Sequence, residues 1–229
     1  MSTWISSRLA FGAVALTFLS ACLGEGTSPT AMSVASPAGK GRSYALAQAA
    51  VVPNRVVARG PSGFCVDKRS VKTSKTGGFA LLASCAALGA KATGEEEPVL
   101  LTIQAQLKGL HSGPTTAEGL AKAFSDNGPI YKETGDGLSL VQLSTGGGEV
   151  IPNGEPKHWR AALSFNGYLI GLAVYSEKGG AAANKRGKAL LLEFAEGVLG
   201  ASPLKTANLD APIKSNNAKR PKLFRNLIQ

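Results

Sequence analysis

The chain has 229 residues, 28 of them glycine and 6% aromatic, with a formal net charge of +10. That length suits one domain with tails. Its three cysteines and two histidines hold no set at metal-ligand spacing, and no interleaving of aromatic and basic residues points to nucleic acid.

Residues 1–21 have the parts of an export signal. Arg8 supplies the positive charge, Leu9 to Leu19 form an uncharged apolar run, and Ser20 and Ala21 are small enough for a peptidase site. The run is about 11 residues, short of the roughly 20 that a spanning helix needs. Leu19-Ser20-Ala21-Cys22 resembles the lipobox of bacterial lipoproteins. The resemblance implies cleavage before Cys22 and acylation of that cysteine. Leu23 follows it where inner-membrane retention usually has Asp, so the sorting rule implies the outer membrane, on its periplasmic side. More than one acyl chain holds firmly where a single chain is marginal. An ordinary cleaved signal with an incidental cysteine is the competing reading. Removing residues 1–22 takes away one arginine and no acid, which leaves a charge of +9.

Residues 22–51 read as a lipid-anchored flexible tether, rich in Gly, Ala, Ser, Thr and Pro. Such a chain spans roughly 30 Å on average, with a short helix expected from Arg42 to Ala50. The folded domain is expected over 52–201. Short strands are predicted at Val56–Arg59, Phe64–Lys68, Gly78–Ala87 and Val99–Leu107. A helix is predicted from Thr115 to Phe124, with Thr115 as N-cap and Glu118 completing a capping box. Two more strands are expected near Pro129–Glu133 and Leu138–Leu143. Gly146-Gly147-Gly148 and Asn153-Gly154 mark a long mobile loop.

Asn166-Gly167 is the preferred centre of a two-residue type I′ hairpin. That turn sets a register: Phe165 faces Tyr168, Leu163 faces Ile170, Ala161 faces Leu172 and Trp159 faces Val174. These residues make one apolar face. The other face carries His158, Arg160, Ala162 and Ser164 opposite Tyr175, Ala173, Gly171 and Leu169. A final helix is expected from about Ala182 to Leu199, with Leu191, Phe194, Ala195 and Val198 buried and Gly200 as its cap. Residues 202–229 read as a flexible basic tail broken by Pro203, Pro212 and Pro221. Its tip spaces Leu223, Phe224, Leu227 and Ile228 at about one helical turn, as a docking segment would.

These elements predict an α+β domain, an antiparallel sheet with hairpins packed by about two helices. The closing order, a hairpin and then a packed helix, is similar to the Mog1/PsbP-like sandwich. The segments Phe64-Cys65-Val66-Asp67 and Ala83-Ser84-Cys85-Ala86 resemble those of bacterial envelope lipoproteins to which no activity is assigned.

Cys65 and Cys85 lack the Cys-x-x-Cys spacing of a redox dithiol. With Cys22 acylated they form an even pair, and pairing of 64–68 with 81–85 would bring them opposite each other. A structural disulfide is expected, against two buried free thiols. His111 beside Ser112-Gly113-Pro114 and His158 at a strand end suit surface or hydrogen-bonded roles. Asp67 suits a solvated or Arg-paired carboxylate. No Gly-x-Ser-x-Gly elbow is present. Lys75-Thr76-Gly77 resembles the phosphorylated core of cation-pumping ATPases, but Ser74 stands where the acceptor aspartate would be. Basic residues concentrate at Lys68, Arg69, Lys72 and Lys75, and at Lys214, Lys219, Arg220, Lys222 and Arg225 in the tail. They are either a solvated face or contacts for an anionic partner: lipid, cell-wall polymer or an envelope protein.

The expected function is a non-catalytic outer-membrane lipoprotein, an envelope binding or assembly module with no cofactor, metal or nucleic-acid partner. The competing class is an envelope enzyme, such as a periplasmic hydrolase with a site scattered in sequence. A concave cluster including His158, Arg160 and Tyr175 would favour the enzyme, and a shallow surface with a charged rim the binder.

Overall fold

The computed structural model describes residues 43–90, 97–109 and 116–204, all within one compact unit. Cys22, His111, Thr115 and the tail cations Lys214, Lys219, Arg220, Lys222 and Arg225 lie outside these residues.

The fold is built on the hairpin of β10 (His158–Phe165) and β11 (Tyr168–Ser176). Asn166 and Gly167 take φ of 51° and 86°, the left-handed values that a type I′ turn requires. The register follows as expected, from Phe165 opposite Tyr168 to Trp159 opposite Val174. A one-residue slip would turn every apolar side chain to the wrong face, so burial holds the register.

The other strands extend this hairpin into an antiparallel sheet. Added to β1 (Ala45–Leu46), β4 (Phe64–Asp67), β6 (Gly77–Ser84), β7 (Val99–Leu107), β8 (Pro129–Gly135) and β9 (Leu138–Leu143), it runs β1-β4-β6-β7-β11-β10-β9-β8. The short β5 (Lys72–Thr73) lies along β6.

One face of the sheet is covered twice. A separate hairpin of β2 (Ala49–Val52) and β3 (Val56–Ala58) packs there beside α2 (Lys185–Ala201). Leu191, Phe194, Ala195 and Val198 of α2 are fully buried, as expected, against Leu101, Ile103, Ile170, Leu172 and Val174. Among the described residues the opposite face has only α1 (Ala117–Ala123), which sits over β8 and β9. There Leu120 closes a smaller cluster with Val141, Leu143 and Ala162. This is the expected α+β class.

Several local readings are corrected. Residues 45–51, assigned to the tether by composition, lie in β1 and β2 and form no helix, and Val51 is fully buried. The N-cap of α1 is Thr116, whose hydroxyl accepts from the Gly119 amide at 3.1 Å. The 3-10 turn Ala181–Ala183 precedes α2. Gly200 stays inside α2, and the C-cap is Ser202. The Ser202 hydroxyl donates to the Val198 carbonyl at 2.7 Å and accepts from the Val57 amide at 2.9 Å. The glycine-rich loop is tied down by Gly147 N–H to the Pro156 carbonyl, 2.8 Å, and by Glu155 N–H to the Ser176 carbonyl, 2.9 Å.

Cys65 and Cys85 are joined, as expected, with Cα atoms 4.8 Å apart. They are not directly opposite: Cys65 faces Ala83, and the Cys85 amide donates to the Gly63 carbonyl just beyond the strand. The bond staples the start of β4 to the end of β6 across a separation of 20 residues. Closing a loop of that size stabilises by about 3 kcal/mol in the chain-entropy model. The double variant Cys65→Ala/Cys85→Ala should lose that amount, read from urea midpoints of oxidised protein. An unchanged midpoint would mean that the staple constrains nothing.

Candidate functional site: an open groove on the second sheet face

Because α1 covers only the β8–β9 side, the centre of this face stays open as a groove of about 540 Å³. Strand register explains its shape. Cross-strand partners point to the same side of a sheet, so the rows can be read from the pairing. One row runs Leu81, Thr102, Ala173, Arg160, and the next runs Phe79, Gln104, Gly171, Ala162. Three of the four central residues, Ala173, Gly171 and Ala162, have almost no side chain, which makes a trough. Phe79 and Leu81 of β6 form one wall, and Leu120 and Phe124 beside α1 form the other. A Cβ at Gly171 would meet only the Gln104 carbonyl oxygen, at 4.0 Å, so the space above it is empty.

One end of the groove is polar. Its side chains come from the hairpin face expected to carry His158, Arg160 and Tyr175. His158 is buried, and its ring stacks on Tyr175 with centroids 5.0 Å apart. His158 Nδ1 lies 3.2 Å from the Pro156 carbonyl oxygen, and Arg160 Nε donates to His158 Nε2 at 3.2 Å. These contacts assign the ring as the neutral tautomer with its proton on Nδ1. Burial pushes its pKa down from 6.5 to about 4, with the nearby Arg160 charge acting in the same direction. Arg160 lies over the Phe124 ring at 4.6 Å and within 5.7 Å of the Tyr175 ring centroid. Burial raises the Tyr175 phenol, opposed by the Arg160 charge and by hydrogen bonds with Thr102 and Arg160.

The cluster that would favour an enzyme is therefore present and concave. Both His158 nitrogens are engaged, so the ring has no free position for proton transfer. No carboxylate, serine or thiol is among the described residues lining the groove, and Arg160 is the one charged side chain there. Among the described residues no group of His, Cys, Asp or Glu could hold a metal ion.

The basic stretch lies at the β4–β5 side. Arg69 is engaged by Asp67, with Nη2 to Oδ2 at 2.8 Å, and stacks over Tyr44 at 4.2 Å. The hydrogen bond from Arg69 holds the Asp67 carboxyl below its ordinary range. Asp67 is thus the Arg-paired carboxylate of the two readings. Lys68, Lys72 and Lys75 are exposed. Lys72 pairs with Phe79, which places it on the groove side of the sheet, outside the wall. Sequence reading grouped these four cations; all four are exposed, and Arg69 is also held by Asp67.

Fold and groove define the chain as an α+β protein whose antiparallel sheet is left partly open on one face. No family model, curated protein or solved structure matches it.

Proposed function

We propose that the protein is a non-catalytic lipoprotein of the bacterial outer membrane, anchored through Cys22, whose domain binds an apolar small molecule in the groove. The carrying observation is the trough over Gly171, Ala173 and Ala162. An apolar concavity with a few convergent polar groups at one end is the usual form of a small-molecule site. Catalysis is disfavoured by the engaged His158 and by a lining that, among the described residues, has no carboxylate, serine or thiol. The hairpin followed by the packed α2 supports a likeness to the Mog1/PsbP-like sandwich. Export and anchoring rest on the lipobox-like Leu19–Cys22. Lys68, Arg69, Lys72 and Lys75 remain candidates for an anionic partner, and so do Lys219, Arg220, Lys222 and Arg225 of the tail.

Two measurements test this. Intact mass of membrane-extracted protein should show acyl chains on Cys22, and Cys22→Ser should lose both the acyl mass and membrane partitioning. Normal processing and full membrane retention of that variant would remove the anchor. Native mass spectrometry of solubilised protein should find a small apolar molecule that Gly171→Val no longer carries. Equal occupancy in both proteins would remove the groove.

A further inference from the structure

Among the described residues the groove has one charged group, and that group is incompletely satisfied. A guanidinium has five N–H donors. Among the described residues Arg160 donates to His158 Nε2, its charge acts on the Tyr175 phenol, and no carboxylate pairs with it. It is half-buried, clamped between the Phe124 and Tyr175 rings. A partly desolvated cation with spare donors is costly unless an anion joins it. From Tyr175 to Leu169 the trough follows seven residues of β11, six steps of roughly 3.3 Å or about 20 Å in all. Small and apolar side chains line most of that length, with Thr102, Gln104 and Gln106 of β7 and then Phe79 and Leu81 on one side and Leu120 on the other.

We infer that the groove holds a single-chain amphiphile with a monoanionic head, a fatty carboxylate, its head on Arg160 and its chain laid along β11 over Ala173 and Gly171. The inference rests on the binding reading above and deepens it. A planar carboxylate matches the fork of a guanidinium. A dianionic head would bring one charge more than the single cation in the groove compensates. His158 is the positioning residue: by accepting from Nε it fixes the plane of the guanidinium, and its neutral ring avoids placing a second positive charge there. The chain would find only small or apolar side chains along the trough floor, and the amides of Gln104 and Gln106 along β7.

The test is titration calorimetry of the full chain with decanoate, decanol and decyltrimethylammonium, each kept below its micelle concentration. Decanoate should bind about ten-fold or more tighter than decanol, the worth of a hydrogen-bonded charge, and the cation should bind weakest. Across shorter carboxylates each methylene should change affinity by about four-fold, equivalent to 0.8 kcal/mol. Arg160→Gln should erase the preference for decanoate over decanol. Arg160→Lys, which keeps the charge and loses the fork, should retain part of it, so a poorly folded glutamine variant does not end the test. Gly171→Val should lose all three probes.

If decanoate and decanol bind alike and Gly171→Val loses both, the charge assignment is overturned while the groove remains a binding site. If no probe binds saturably, or Gly171→Val binds like the parent, both readings are overturned. Sedimentation is the last arm: a dimer that Gly171→Val disperses would give the face to a second copy of the chain and overturn the ligand assignment.

Discussion

Trp159→Ala should remove about 3–5 kcal/mol of unfolding free energy, the range for truncating a buried large aromatic. Domains of this size hold only about 5–15 kcal/mol in total, so the variant should be close to unfolded at modest urea. The size of the effect follows from where the ring sits. Trp159 is 4% exposed and meets Tyr131 of β8 edge-on, with centroids 5.5 Å apart. Its indole N–H donates to the Asn184 carbonyl at 2.8 Å, at the start of α2. One side chain therefore ties the sheet to the entry of its covering helix. Gly187 shows how tight that entry is. A Cβ there would stand 1.8 Å from the Ala182 carbonyl oxygen and 2.6 Å from Trp159 Cδ1. Gly187→Ala should thus destabilise despite its better helix propensity. Trp159→Phe, which keeps most of the ring and loses the hydrogen bond, should cost far less than the alanine variant. Far-UV circular dichroism in urea reads all three. Midpoints equal to the parent for Trp159→Ala would show that α2 is held elsewhere.

The second large effect is in acid. His158 is neutral in the folded protein, with its pKa lowered to about 4 from 6.5. Between those values the unfolded chain binds a proton that the folded chain refuses. Its contribution to stability is complete above about pH 6.5 and is lost as pH falls toward 4. Each unit is worth about 1.4 kcal/mol, so the full loss is on the order of 3 kcal/mol. His158→Gln has no such proton to bind. Its urea midpoint should change little from pH 6.5 to 4.5, the ordinary glutamate value, while the parent's falls. Parallel curves for the two proteins over that window would contradict a buried neutral imidazole.

What could be read from the sequence divides along a physical line. Contacts close in sequence with strong stereochemical signals were legible. Asn166-Gly167 admits few turn types, so the register of β10 on β11 followed, and with it the shared face of His158, Arg160 and Tyr175. The α2 stripe was legible because its period is that of a helix. The pairing of Cys65 with Cys85 was legible from their number and from the strands that carry them, though not the two-residue offset. Strands hidden in linker-like composition were not legible. Ala45-Leu46 and Ala49–Val52 close a stretch rich in Gly, Ala and Ser, and only their pairing with β4 and β3 marks them as strands. The groove was the least visible. Gly171, Ala173 and Ala162 look like ordinary small strand residues. They become a trough floor only because β7 and β6 lie beyond β11 while α1 stops over β9.

The seam at Ser202 sets the order in which the molecule can be completed. The Val57 amide is capped by Ser202, 145 positions later. The Asn166 side-chain amide bridges the Arg55 and Pro203 carbonyls at 2.8 and 2.7 Å. The first hairpin of the domain, the tip of the central hairpin and the end of the last helix thus close on one another. Local pieces, such as β10–β11, can form while a nascent chain is still emerging. The β2–β3 hairpin cannot be locked until residue 203 is present, and contacts of such long sequence separation are slow to form. An incomplete chain would expose Val51, Val56 and the apolar side of the sheet together, the surfaces that make partly folded chains aggregate. The seam is therefore completed only when the end of α2 arrives, and its closure hides these surfaces together.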